Sequence, residues 1–250
     1  MRMVFPGPID PRREIVLSGK IDSEHQEAWQ AVIASIFELF NSFVAAGGLR
    51  RTVEYEPQKL SGRLEWERES FFYTWPKLPF DATGLGIIFR MLGYLRHGEA
   101  DLGSISVQGT PIAPDHLAAI KGMEDIADKL PGMMPSLPFE LEICPSGAWI
   151  TIECNLSPAF PPEIAPALHE TIWTWGKVAN AGGFQVDSES EGATGDEAFG
   201  VGIDGPTVAD DFLEWHCLKT GVPSRSLNCL VNILGHFSNQ IYPVSAVYIG

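Results

Sequence analysis

The chain has 250 residues, 45% of them hydrophobic and 20% charged. That length holds one large domain or two domains of about 100 residues with a core each, and the composition excludes a disordered chain. A net charge of −15 repels phosphate backbones and anionic lipid, so direct binding to nucleic acid or a membrane is disfavoured, and a basic protein partner is attracted.

Met1 to Pro6 carries no long apolar core, so no secretory leader is expected. No run of about 18 apolar residues is present, so no membrane span is expected. Glu14 to Ile21 alternates apolar and polar residues, as a half-buried strand does. Ser23-Glu24-His25-Gln26 has the pattern of a helix-start capping box. Trp29, Ile33, Ile36, Phe37, Phe40 and Val44 then recur at helical spacing, and Gly47-Gly48 supplies a left-handed helix end. Val53-Glu54-Tyr55-Glu56 and Leu64 to Glu69 alternate again around a turn at Pro57 to Gly62, which predicts a hairpin. A helix is expected from about Asp81 to His97 and a strand from about Leu102 to Val107. Phe71-Phe72-Tyr73-Thr74-Trp75-Pro76 is an aromatic segment with no counterpart later in the chain. It reads either as packing between domains or as an exposed recognition patch.

A connector occupies 114–137, with a short helix expected over Asp115 to Leu130. An extra strand at Phe139 to Cys144 then precedes a strand over Trp149 to Leu156. A helix over about Pro162 to Asn180 follows, then a Gly-rich acidic hairpin region from Phe184 to Ile203. Thr207 with Asp210 suggests another helix start, placing Asp210 and Glu214 on one helix face. Leu227 to Phe237 is helical in pattern, and Val244 to Ile249 forms a last strand.

These elements repeat. Ile15, Leu17 and Ile21 fall on Ile150, Ile152 and Leu156 at a shift of about 135 residues, and Gly47-Gly48 falls on Gly182-Gly183. Leu85 to Leu95 falls on Leu227 to Phe237 at a shift of about 142. The order β-α-β-β-α-β in each copy is the ferredoxin-like plan, an antiparallel sheet with both helices on one face. The expected fold is therefore α+β: a first ferredoxin-like repeat at 1–113, the connector at 114–137, and a second repeat at 138–250 with an extra N-terminal strand.

In this plan each sheet leaves one face free. Glu54, Glu56, Glu65, Glu67 and Glu69 take the outward parity of the first hairpin, and Glu189 and Glu191 echo them in the second copy. A solvated face whose charges block aggregation is the plain structural reading. A docking surface for a cationic partner is the functional one, and a carboxylate site for a hard divalent ion is a third. The expected partner-binding set is those seven glutamates with Phe72, Tyr73 and Trp75. The acidity is uneven: between Val178 and Leu218 there is no Lys or Arg, against nine carboxylates.

Chemistry-bearing motifs are sparse. Gly200-Val-Gly202-Ile-Asp-Gly205 matches a dinucleotide fingerprint in letters alone, since Asp204, Asp210 and Asp211 crowd the place of a pyrophosphate. Six scattered His form no metal signature, and the four Cys form no C-x-x-C pair. Cys217 and Cys229 read as helix-core positions, and reduced thiols in a cytoplasmic protein are expected. No catalytic residue, metal or cofactor is assigned. The leading reading is a non-enzymatic protein-binding module of immunity or inhibitor type that masks a basic partner. The alternative is an enzyme or a binder of a small cationic ligand (an amine or metal ion), built as a paired α/β barrel around a carboxylate-lined cavity.

Overall fold

A computed structural model describes residues 15–22, 26–49, 62–75, 82–94, 101–107, 110–111, 137–144, 149–184, 201–219 and 224–250. The protein is mixed α+β and divides into two compact units. One comprises Met1–Ala45 with Arg51–Pro131, the other Ala46–Arg50 with Gly132–Gly250. The change of unit at Pro131 lies inside the stretch read as a connector. The helix expected at Asp115 to Leu130 and the capping residues Ser23 to His25 lie outside the described residues.

The first unit runs β1 (Ile15–Asp22), α1 (Gln26–Ala45), β2 (Arg63–Glu67), β3 (Ser70–Trp75), α2 (Ala82–Tyr94), β4 (Asp101–Val107) and β5 (Thr110–Pro111). Its sheet has the order β2-β3-β1-β4-β5, and every pairing is antiparallel. α1 forms because apolar residues return every three or four positions. Ile33, Phe37, Phe40 and Phe43 are 0–1% exposed and make one buried stripe. By length and composition α1 is also apolar enough, from Glu27 to Ala45, to cross a membrane; that buried stripe is how a core helix is placed.

The first hairpin differs from the expected one. Its strands are β2 and β3, joined at Arg68 and Glu69, with Arg68 in the left-handed region at φ 54°. Residues 53–56, expected as one arm, lie outside the described residues. The aromatic segment is the other arm, because its period-2 pattern suits a strand beneath a helix layer: Phe71, Tyr73 and Trp75 are buried while Phe72 and Thr74 are half-buried. The Phe37 ring stacks on Tyr73 with centroids 3.9 Å apart and meets Trp75 edge-on at 5.8 Å. Trp75 Nε1 donates to Asn41 Oδ1 at 3.2 Å, and Asn41 Nδ2 donates to the Tyr73 hydroxyl, so these buried polar groups are satisfied from α1.

The second unit runs β6 (Glu140–Ile143), β7 (Trp149–Leu156), α3 (Ile164–Asn180), β8 (Val201–Ile203), β9 (Thr207–Val208), β10 (Phe212–Lys219), α4 (Ser224–Gln240) and β11 (Val244–Ile249). The helix expected from Thr207 is instead β9 and β10. Leu213, Trp215 and Cys217 are all fully buried, so the segment has one apolar side at period two rather than 3.6. Cys217 therefore belongs to a strand, and Cys229 to a helix as expected. The segment after Gly205 continues as strands, which removes the helix that a dinucleotide loop needs.

Read from β8, the second sheet has the order β8-β10-β7-β11-β6, the same connectivity as β2-β3-β1-β4 with one further edge strand. The edge strands differ in direction: β5 is antiparallel to β4, whereas β6 is parallel to β11. The registers also correspond. Leu17 faces Tyr73 and Val107 in the first sheet, and Ile152 faces Trp215 and Ile249 in the second. The register slips at matching places too, where Ile21 pairs Leu102 and where Leu156 pairs Val244. The aromatic segment thus has a counterpart after all: Phe71, Tyr73 and Trp75 occupy the positions of Leu213, Trp215 and Cys217. Gly47 and Gly182 end α1 and α3 with φ of 87° and 77°. At the second of these, Gly183 N–H bonds the Val178 carbonyl and Gly182 N–H bonds that of Ala179, closing a Schellman cap that a side chain would strain.

His236 on α4 is half-buried, and burial holds its imidazole below the ordinary histidine value. An unfolded chain therefore takes up this proton first as pH falls. The stabilisation is complete above about pH 6.5 and is lost as pH drops below it. Thermal melts from pH 8 to 5 should show a decline that is shallower in His236→Gln.

Candidate protein-docking face

The expected site residues separate into three groups. Glu54, Glu56, Glu189 and Glu191 lie outside the described residues. Tyr73 and Trp75 are 4% and 0% exposed, so their side chains serve the core and present nothing to a partner. Burial also pushes the Tyr73 phenol up, an effect only partly offset by its bond from Asn41 and reinforced by Glu38. Glu65, Glu67 and Glu69 are exposed and Phe72 is half-buried. Glu65 is paired with Arg63, and Glu69 with Lys20 at 3.0 Å. The free face of the first sheet is therefore more nearly balanced in charge than its glutamate-rich sequence implies.

The free face of the second sheet is different. In β7, Ile150, Ile152, Cys154 and Leu156 are buried, which turns Thr151, Glu153 and Asn155 the other way. In β10 the same alternation turns out Phe212, Glu214 and His216. The register then sets Glu153 directly against Glu214, Tyr248 of β11 against Glu153, and Glu142 of β6 against Tyr248. One row across four neighbouring strands thus reads Glu142, Tyr248, Glu153, Glu214. Strand spacing puts each member about 5 Å from the next at the backbone. Glu142 is exposed, Tyr248 is 38% exposed, and Glu153 is half-buried.

His216 borders this row. Its Nε2 lies 3.0 Å from Glu214 Oε1, and its Nδ1 lies 3.5 Å from Thr151 Oγ1. Among the described residues no Lys or Arg takes the outward parity of β6, β7, β10 or β11; Lys219 has the core parity of β10. Among the described residues, the basic side chain beside these carboxylates is that of His216. Like charges directly opposite on neighbouring strands destabilise a sheet. Glu153→Gln is accordingly expected to raise stability by a few tenths to about 1 kcal/mol, read from the urea midpoint. A loss of stability would show that Glu153 is held by an attractive partner instead.

None of this row's four members is in the set expected from the sequence. The sequence pattern puts Glu214 on a helix, and Glu142, Glu153 and Tyr248 sit on strands whose partners only the sheet order reveals. The available signal was the alternation of Glu153 with Ile152 and Cys154, and of Glu214 with Leu213 and Trp215.

The cysteines are free: Cys144 is exposed, while Cys154, Cys217 and Cys229 are buried. Burial, with Glu153 adding to it, pushes the Cys154 thiol well up. Burial and then Asp204 push Cys217 up to about 12. Both are thiols at neutral pH and poor nucleophiles. Iodoacetamide labelling followed by mass spectrometry should modify Cys144 first and reach Cys154 and Cys217 only after denaturant is added. No family model matches the chain, and no curated protein matches its sequence.

Proposed function

We propose that this chain is a non-enzymatic protein-binding module made of two tandem ferredoxin-like repeats. Its second sheet uses the free face to capture a basic partner, as an immunity or inhibitor protein does. The observation that carries this reading is the carboxylate row of Glu142, Glu153 and Glu214, set in register on a face where no Lys or Arg stands among the described residues. Duplication is supported by the shared strand order, the equivalent pairing registers and the matching slip between first and last strands. After duplication the core parity stayed apolar, while the free faces diverged: Ser18, Phe72 and Ser106 hold the places of Glu153, Glu214 and Tyr248.

Electrostatic capture has a kinetic signature. Opposite charge speeds the encounter, and added salt slows it by screening over about 10 Å at 0.1 M. The test is co-purification of tagged protein from its native host, followed by association kinetics between 50 and 500 mM salt. A basic partner whose association slows steeply with salt supports the reading. No partner, or one whose rate ignores salt, removes it.

A further inference from the structure

We propose that Tyr248 is the seat for an arginine side chain of the partner, with the guanidinium lying over the phenol ring between Glu142 and Glu153. This deepens the proposed function and rests on it. The argument begins with the register. Tyr248 is the aromatic member of the row, it is exposed, and a carboxylate stands directly across from it on each neighbouring strand. A cation placed over that ring meets the negative π face below and carboxylates on two sides.

The ring also selects among cations. A small hard ion needs oxygen ligands converging on one point, and no group of three or more His, Cys, Asp or Glu among the described residues is placed to hold a metal. Here the two carboxylates stand one strand to either side of an aromatic surface, a spacing suited to a flat, extended cation. An ammonium group is compact and strongly hydrated, so it gains less from the ring. A guanidinium is planar and weakly hydrated, stacks on aromatic faces, and offers donors along its edges to both carboxylates. Glu214 and the Glu153 opposite it extend the negative row for a second basic side chain. At that end His216 Nε2 already lies 3.0 Å from Glu214 Oε1, so a second basic side chain shares Glu214 with it.

The experiment uses the full chain and two fluorescent peptides, nine arginines and nine lysines, titrated by anisotropy at 50 and 300 mM salt. The arginine peptide is expected to bind roughly 3–5-fold more tightly per engaged ring, the size of an exposed cation–π contact. Tyr248→Leu should abolish that preference, Tyr248→Phe should keep it, and Glu153→Gln should weaken both peptides. Circular dichroism and melting temperature confirm that each variant is folded. Equal affinity for the two peptides, or a preference that survives Tyr248→Leu, overturns the seat while leaving salt-dependent acidic capture intact. Absence of salt-sensitive binding to either peptide overturns the acidic capture face, and the seat with it.

Discussion

Replacing Trp75 by alanine is expected to cost roughly 3–5 kcal/mol, the range for deleting a large buried aromatic side chain. Trp75 is 0% exposed and touches Phe37, Phe40 and Tyr73 through ring contacts at 5.8, 6.2 and 4.5 Å. The deletion removes that contact area, leaves a cavity beneath α1, and takes away the indole N–H that Asn41 Oδ1 accepts. Stabilities of whole domains are about 5–15 kcal/mol, so the first unit should lose much of its folded margin. Urea unfolding followed by far-UV circular dichroism reads this as a large fall in midpoint. A surface recognition residue would shift it by no more than about 0.5 kcal/mol. An outcome of that size would place the aromatic segment outside the core and undo the β3 assignment.

Reversing the charge of the row in Glu142→Lys, Glu153→Lys and Glu214→Lys together should cut association with a basic partner by about 10- to 1000-fold at low salt. The three positions are exposed or half-buried, and their backbones are already committed to the ladder, so the sheet should keep its register. Lysine is also compatible with edge strands, where natural proteins place it to discourage pairing. Glu65→Lys on the first sheet serves as the comparison. Its carboxylate is already matched by Arg63, and the change should alter capture far less. Stopped-flow association at 50 mM salt separates the two. If Glu65→Lys gives about a third of the triple variant's logarithmic slowing, as two units of charge against six require, net charge alone is acting and the second face has no special part.

Much of the secondary structure could be read from periodicity. The last strand and the helices at 26–45, 82–94 and 164–180 follow from apolar spacing, and Gly47 and Gly182 end their helices because glycine tolerates positive φ. The likeness between the two halves is legible for the same reason: two sheets of the same strand order need apolar residues at the same inward positions. Failures came where a short stretch permits two periods. Asp210 to His216 carries carboxylates at spacings that fit a helix turn, while Leu213, Trp215 and Cys217 fit a strand. Only the neighbouring β7 and β8 settle the choice, by offering ladder partners.

The order of residues along the chain already specified most of the inward side chains, Tyr73, Trp75 and the Leu213–Cys217 side excepted, because apolar burial is largely a property of pattern. It could not specify which strands lie side by side. Hydrogen-bonded pairing joins Glu142, Tyr248, Glu153 and Glu214 from segments 61 to 106 residues apart, and such partners carry no local signal. The folded sheet also matched Glu65 with Arg63 and Glu69 with Lys20, quieting the face whose composition looked most acidic. Net charge is additive along a sequence, whereas an electrostatic surface depends on distances that only packing sets.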